Sequence, residues 1–193
     1  METIVLSVNA VGGFNDEEFY NFCQDDPTMR FERDAQGQII ILPNTGGKTG
    51  IINLEIARQF ANWNKAHRLG KGFDSSTAFG LPNTAVRSPD VAWVSNERWQ
   101  ALPEQARKQF PPLCPDFVIE LKSESDQLPN VQKKMQEWLD NGCRLAWLID
   151  PQTETVHVYQ PGQETATVHP FRGELSGGEV LPGFSLQLAE LLS

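Results

Sequence analysis

Ile52, Ile56, Phe60 and Trp63 recur at intervals of four, four and three, the spacing of a stripe that one face of an α-helix buries. A helix is therefore predicted over residues 50–66. A second is predicted over Leu128–Asp140, stopped at Asn141-Gly142 by a left-handed cap. Asn15 followed by Asp16, Glu17 and Glu18 reads as an N-cap and an acidic first turn, so a short helix is predicted through Cys23. Around residues 31–42 the turn signal Asp34-Ala-Gln-Gly37 precedes the β-branched run 38–42, which predicts a hairpin. Gly70-Lys71-Gly72 reads as a break, after which residues 73–79, 85–94 and 116–121 are predicted strands. The polar, proline-rich stretch 95–115 between the last two predicts a short helix and an irregular loop. Residues 144–150 form a nearly unbroken apolar run, as a central strand buried on both faces would. Residues 155–160 and 164–171 close the pattern with β segments. This order predicts an α/β class, a mixed β-sheet flanked by helices with extra β hairpins at both ends. One domain is expected over residues 1–193, with 1–30 an accessory element, 31–150 the core and 151–193 a C-terminal β extension.

Composition narrows the function classes. With 25 acidic against 16 basic residues the formal net charge is −9, which argues against generic polyanion binding, because such affinity comes from Lys and Arg displacing counterions. A local basic groove stays compatible with it. No run approaches 18 apolar residues, and the N-terminal lead has no basic region and runs into Phe14-Asn-Asp-Glu-Glu-Phe19, so neither a membrane partner nor a secretory signal is expected and the location expected is cytoplasmic. Cys23, Cys114 and Cys143 are scattered, as are His67, His157 and His169. They offer no zinc spacing and read as reduced thiols and structural or surface imidazoles.

The chemistry concentrates in two segments, Ser88-Pro89-Asp90-Val-Ala-Trp-Val94 and Pro115-Asp116-Phe-Val-Ile-Glu120-Leu-Lys122-Ser123. Alternation in an extended chain puts Asp116, Val118, Glu120 and Lys122 on one face, while Phe117, Ile119 and Leu121 seat the strand in the core. Charges at the end of a buried strand are costly unless paired or bound to a metal. An adjacent strand headed by Asp90 could bring a second carboxylate beside Glu120. Two hard carboxylates suit Mg²⁺ or Mn²⁺, and a lysine beside them suits charge developing on phosphorus. Phosphodiester hydrolysis uses all three groups. Asp116 shares the face but lies about 14 Å upstream of Glu120 at about 3.4 Å per residue, and is read as an anchor for the strand start. Ser123-Glu-Ser-Asp126 is read as a cap for the turn that follows.

Pro89-Asp90, twenty-nine intervening residues and Glu120-Leu121-Lys122 resemble the PD-(D/E)XK nuclease signature. The blocks 86–94, 114–123, the helix carrying Lys134, Trp138 and then Gly142, and Trp147-Leu-Ile-Asp-Pro151 resemble the Uma2 family of restriction-endonuclease-like proteins, a family abundant in cyanobacteria. The resemblance implies a restriction-endonuclease-like core, with Asp90 and Glu120 as metal ligands, Lys122 as the catalytic lysine, Mg²⁺ or Mn²⁺ as cofactor and DNA as substrate. Such sites often take a further acid from the first core helix, for which Glu55 is the positional candidate. Glu32, in a segment similar to the family's E-L-I-D-G stretch, is the alternative. That segment departs from the pattern by an extra residue before Gly37 and by Gln38 in place of an acid. Lys134 is a candidate phosphate contact.

Two other readings compete. A non-catalytic nucleic-acid or protein interaction module retaining the nuclease fold agrees with the net charge of −9. A glycoside hydrolase using Asp90 and Glu120 as an acid/base pair gives Lys122 no role. A nuclease with one site per chain that cuts both strands of a duplex calls for two copies, so a homodimer is expected conditional on that activity.

Overall fold

The apolar stripes account for the layers. In the computed structural model, which describes residues 4–8, 12–163 and 166–192, the first half of the chain runs β1 (Ile4–Leu6), α1 (Asp16–Asp25), β2 (Arg30–Arg33), β3 (Ile39–Leu42), α2 (Gly47–His67), β4 (Gly70–Asp74), β5 (Phe79–Gly80), β6 (Val86–Arg87) and β7 (Val91–Ser95). The second half runs α3 (Asn96–Ala101), α4 (Glu104–Lys108), β8 (Phe117–Leu121), α5 (Leu128–Asp140), β9 (Leu145–Asp150), β10 (Thr155–Tyr159), β11 (Thr167–Pro170), β12 (Glu174–Ser176), β13 (Ser185–Gln187) and a closing 3-10 helix, Leu188–Leu192. Expectations that fall on residues 1–3, 9–11, 164, 165 and 193 lie outside the described residues.

A six-stranded mixed sheet in the order β11-β10-β9-β8-β7-β4 forms the centre. Its one parallel pair, β8 and β9, is joined by α5, and its other neighbours run antiparallel. Alternation divides the strands between two cores. Trp93, Phe117, Ile119, Leu145, Trp147 and Ile149 meet Ile52, Ile56, Phe60 and Trp63 of α2. Val94, Val118, Ala146 and Leu148 meet Met135 and Trp138 of α5. Both faces of β8 and β9 are thus covered, which is why residues 145–150 are buried without exception. A five-stranded sheet, β1-β3-β2-β6-β5, carries the N-terminal half and packs its own cluster around Phe19 and Phe31. The thiols of Cys114 and Cys143 are free and buried. Among the described residues no helix is long and apolar enough to cross a membrane.

Three expectations change. The glycines at 70 and 72 do not break the chain but belong to β4, where a Cβ on Gly70 would sit 2.3 Å from Val94 O and one on Gly72 2.6 Å from Phe60 Cε1. They are glycines because the strand lies tight under α2 and against β7. Residues 73–79 accordingly hold only the end of β4 and the start of β5. The run 85–94 is two strands in two sheets: β6 pairs with β2, and β7 with β4 and β8. Between them Pro89 has no N–H to give a ladder, the Ser88 N–H goes to Glu32 Oε1 at 2.9 Å, and the Asp90 N–H goes to Ile119 O at 3.0 Å. The stretch 95–115 holds two short helices, α3 and α4, where one was expected.

Candidate active site

The Ser88-Pro89-Asp90 crossing leaves Asp90 at the head of β7. Because Val91 is paired with Ile119 in the antiparallel β7–β8 ladder, Asp90 stands across from Glu120. Asp90 Oδ2 accepts the Leu121 N–H at 2.8 Å, and Oδ1 accepts Asn53 Nδ2 of α2 at 3.0 Å. That second bond fixes which way the Asn53 amide points. Asn53 Oδ1 is buried and has no hydrogen-bond partner, a costly state for a carbonyl oxygen unless something is bound there.

Glu120 points toward α5. Its Oε1 accepts the Trp138 indole N–H at 2.9 Å and lies 2.9 Å from Lys134 Nζ. A buried indole needs an acceptor, and Glu120 supplies it. Burial pushes the Glu120 carboxyl up to about 7; Lys134 opposes the rise, while the charges of Asp90 and Glu32 add to it. Burial also raises Asp90, against the Leu121 N–H and the charge of Lys134. Both acids are therefore unfavourably placed as bare carboxylates.

Lys134 is shared. Its Nζ also lies 2.9 Å from Glu32 Oε1 and 3.5 Å from Ser88 O. Glu32, 2% exposed, takes Arg87 Nη1 on Oε2 at 3.0 Å, and Arg87 Nε reaches Glu137 Oε2 at 2.6 Å. Burial raises the Glu32 carboxyl, but Lys134 and Arg87, with the Ser88 N–H, outweigh it and hold the group below the usual carboxylate range. Burial would lower the Lys134 ammonium, but Glu120 and Glu32 raise it, so it stays charged.

Lys122, one residue past β8, shares the Glu120 face but turns to the neighbouring strand. Its Nζ donates to Gln152 Oε1 at 2.5 Å and lies 3.8 Å from Asp150 Oδ1. No hydrogen bond or ion pair joins it to Asp90 or Glu120; the ammonium that meets Glu120 is that of Lys134. Glu55 stands apart from this centre. It pairs with Arg58 at 2.5 Å and bonds to Gln59 at 2.9 Å, and Arg58 reaches on to Glu190 of the closing 3-10 helix. The residue that α2 presents to Asp90 is Asn53, which sequence reasoning missed. Asp116 is the anchor expected of it, accepting the Ser95 N–H at 2.9 Å and pairing with Arg98 at 3.0 Å. Asp126 accepts the Ser123 N–H at 2.8 Å, closing the turn before α5.

The donor set suits one hard divalent cation. Glu32, Glu120 and Glu137 share the two cations Arg87 and Lys134, and Asp90 stands across from Glu120 as a further acid. Among the described residues no three His, Cys, Asp or Glu side chains gather into a metal cage. Mg²⁺ does not need one, since it keeps several waters and takes one or two carboxylates. Asp90 and Glu120 are the carboxylates that would hold it, and the unpartnered Asn53 Oδ1 would offer a further neutral oxygen.

The model of the Uma2 family, described as "Putative restriction endonuclease", matches residues 16–189. A crystal structure of a "putative nuclease belonging to DUF820 from Anabaena variabilis ATCC 29413" superimposes with a TM-score of 0.73 at 24% identity, covering 93% of this chain and 97% of the other. At that identity the likeness is one of fold. No curated protein matches.

Proposed function

This chain belongs to the Uma2 family of restriction-endonuclease-like proteins, and from that premise we propose that it is a metal-dependent endonuclease hydrolysing phosphodiester bonds in DNA, with Mg²⁺ or Mn²⁺ held by Asp90 and Glu120. The observation that carries this reading is the pairing of these two acids across β7 and β8, both raised by burial, beside the unpartnered Asn53 Oδ1. The ion, when bound, supplies an activated water and neutralises charge at the phosphorus.

The remaining work falls to the chain. Asp90 is held by the Leu121 N–H and the Asn53 amide, so its carboxylate needs no reorientation on binding. Trp138 and Lys134 hold Glu120 by Oε1, which leaves Oε2 as its oxygen for the ion. Lys122, restrained by Gln152 and Asp150, carries the positive charge that compensates the additional negative charge on the phosphoryl oxygens in the transition state. Duplex cleavage would engage two chains, one per strand.

The test is cleavage of a panel of duplex, branched and single-stranded DNA with Mg²⁺, with Mn²⁺ and with chelator. Cleavage should require the ion, and Asp90→Asn should abolish it while leaving the fold intact. Cleavage that survives both chelator and Asp90→Asn refutes the assignment. No cleavage and no ion binding at millimolar concentration leaves the chain as an interaction module on a nuclease core.

A further inference from the structure

Lys134 Nζ sits where an ion would sit. Three oxygens from three separate segments surround it: Glu32 Oε1 of β2, Glu120 Oε1 of β8 and Ser88 O of the crossing between the sheets. Two carboxylates and a carbonyl are a hard-cation donor set. One of them, Glu120, is also a proposed ligand of the catalytic ion. A carboxylate that serves two cation positions is the usual bridge of a two-metal site, in which the ions stand about 3.5–4 Å apart. Here one of the two positions is taken by an ammonium built into the chain.

We propose that Lys134 permanently fills a second cation position, so that each site takes one divalent ion and not two. This rests on the metal-dependent reading above. The hydrogen bonding of Glu32 supports it. Glu32 has no oxygen to spare, since Oε1 receives the Ser88 N–H and Lys134 and Oε2 receives Arg87; it holds the lysine and does not ligate the ion. Lys134 is thus a positioning residue: it keeps Glu120 Oε1 engaged and turns Oε2 to the single ion.

The test is to count Mn²⁺ by electron paramagnetic resonance and by calorimetric titration of the full chain. Wild type should bind one Mn²⁺. Lys134→Ala removes the ammonium and its stem and should bind two, and Lys134→Ala combined with Glu32→Gln should return to one, because the second position has lost a carboxylate. Two ions in wild type, or one in Lys134→Ala, overturns this inference and leaves the metal-dependent reading standing. No ion in wild type overturns both. Should Lys134→Ala be unfolded in chelator, recovery of its native circular dichroism on adding Mn²⁺, and not on adding NaCl, supports the vacated position; no recovery counts against it.

Discussion

Glu120→Gln should make the metal-free protein more stable at pH 8 while removing its proposed ability to hold an ion. The glutamine keeps an oxygen for Trp138 and Lys134, so the change is chiefly loss of a buried charge. The wild-type carboxyl is pushed up from 4.5 to about 7, first by burial and then by Asp90 and Glu32 against the pull of Lys134. At about 1.4 kcal/mol for each tenfold in proton affinity, the ionised carboxylate costs about 3 kcal/mol of folding stability at pH 8. The sign follows from the raised value. Below the ordinary carboxylate range both folded and unfolded chains are protonated and the cost is absent; it grows as pH rises and is complete above about 7. Glu32, held low by Lys134 and Arg87 against burial, acts in the opposite sense at acid pH, but it is common to both proteins and drops out of their difference. The assay is thermal and urea unfolding of both proteins in chelator from pH 4.5 to 8.5. For a chain of this size about 3 kcal/mol corresponds to a rise in Tm of roughly 10 °C at pH 8, shrinking to about 1 °C at pH 4.5. A variant no more stable than wild type at pH 8, or a gap that does not change with pH, would refute the electrostatic account of the site.

Lys122→Ala should lower DNA cleavage by orders of magnitude while leaving Mn²⁺ affinity within a few-fold, because its partners are Gln152 and Asp150 and not the paired acids; an equal loss of both would make it a structural residue. Glu55→Ala should leave cleavage and Mn²⁺ binding unchanged and shift stability by less than about 1 kcal/mol, as expected for a surface ion pair with Arg58. A large loss of activity would return Glu55 to the site.

What the sequence could reveal was set by how local each signal is. Leu128–Asp140 and the strand before Pro151 are legible because a periodic face and a fully apolar run encode burial within one segment. The division of residues 85–94 between two sheets has one local sign, Pro89, which has no N–H for a ladder; that the first half joins a different sheet is set by Glu32, far upstream, claiming the Ser88 N–H. The choice of Glu55 over Asn53 has a similar cause. Both flank the stripe of Ile52 and Ile56, on opposite sides, and only the packing of α2 decides which flank meets β7. Alternation puts Lys122 on the Glu120 face, but its partner is set by the parallel register that aligns Leu121 with Ile149 and so carries Lys122 beside Asp150. Along its own helix Lys134 has Glu137 at the i+3 spacing, but that acid pairs with Arg87. The two acids that Lys134 meets come from β2 and β8, which only the tertiary fold brings to one helix turn.

The crossing at Ser88 and Pro89 ties the two sheets at the centre of the molecule, because β2 contributes Glu32 and β8 contributes Glu120 to the same ammonium. The exposed residues 44–46, between β3 and α2, would be a natural place to divide the chain. The shorter fragment would carry Glu32 and the longer one Asp90, Glu120 and Lys134. Neither alone could assemble the centre, since the longer would bury a lysine and an arginine stripped of their shared counter-ion. Reassociation of the two would restore it, which makes this architecture a natural split reporter, in which one side chain of the smaller half licenses the chemistry of the larger.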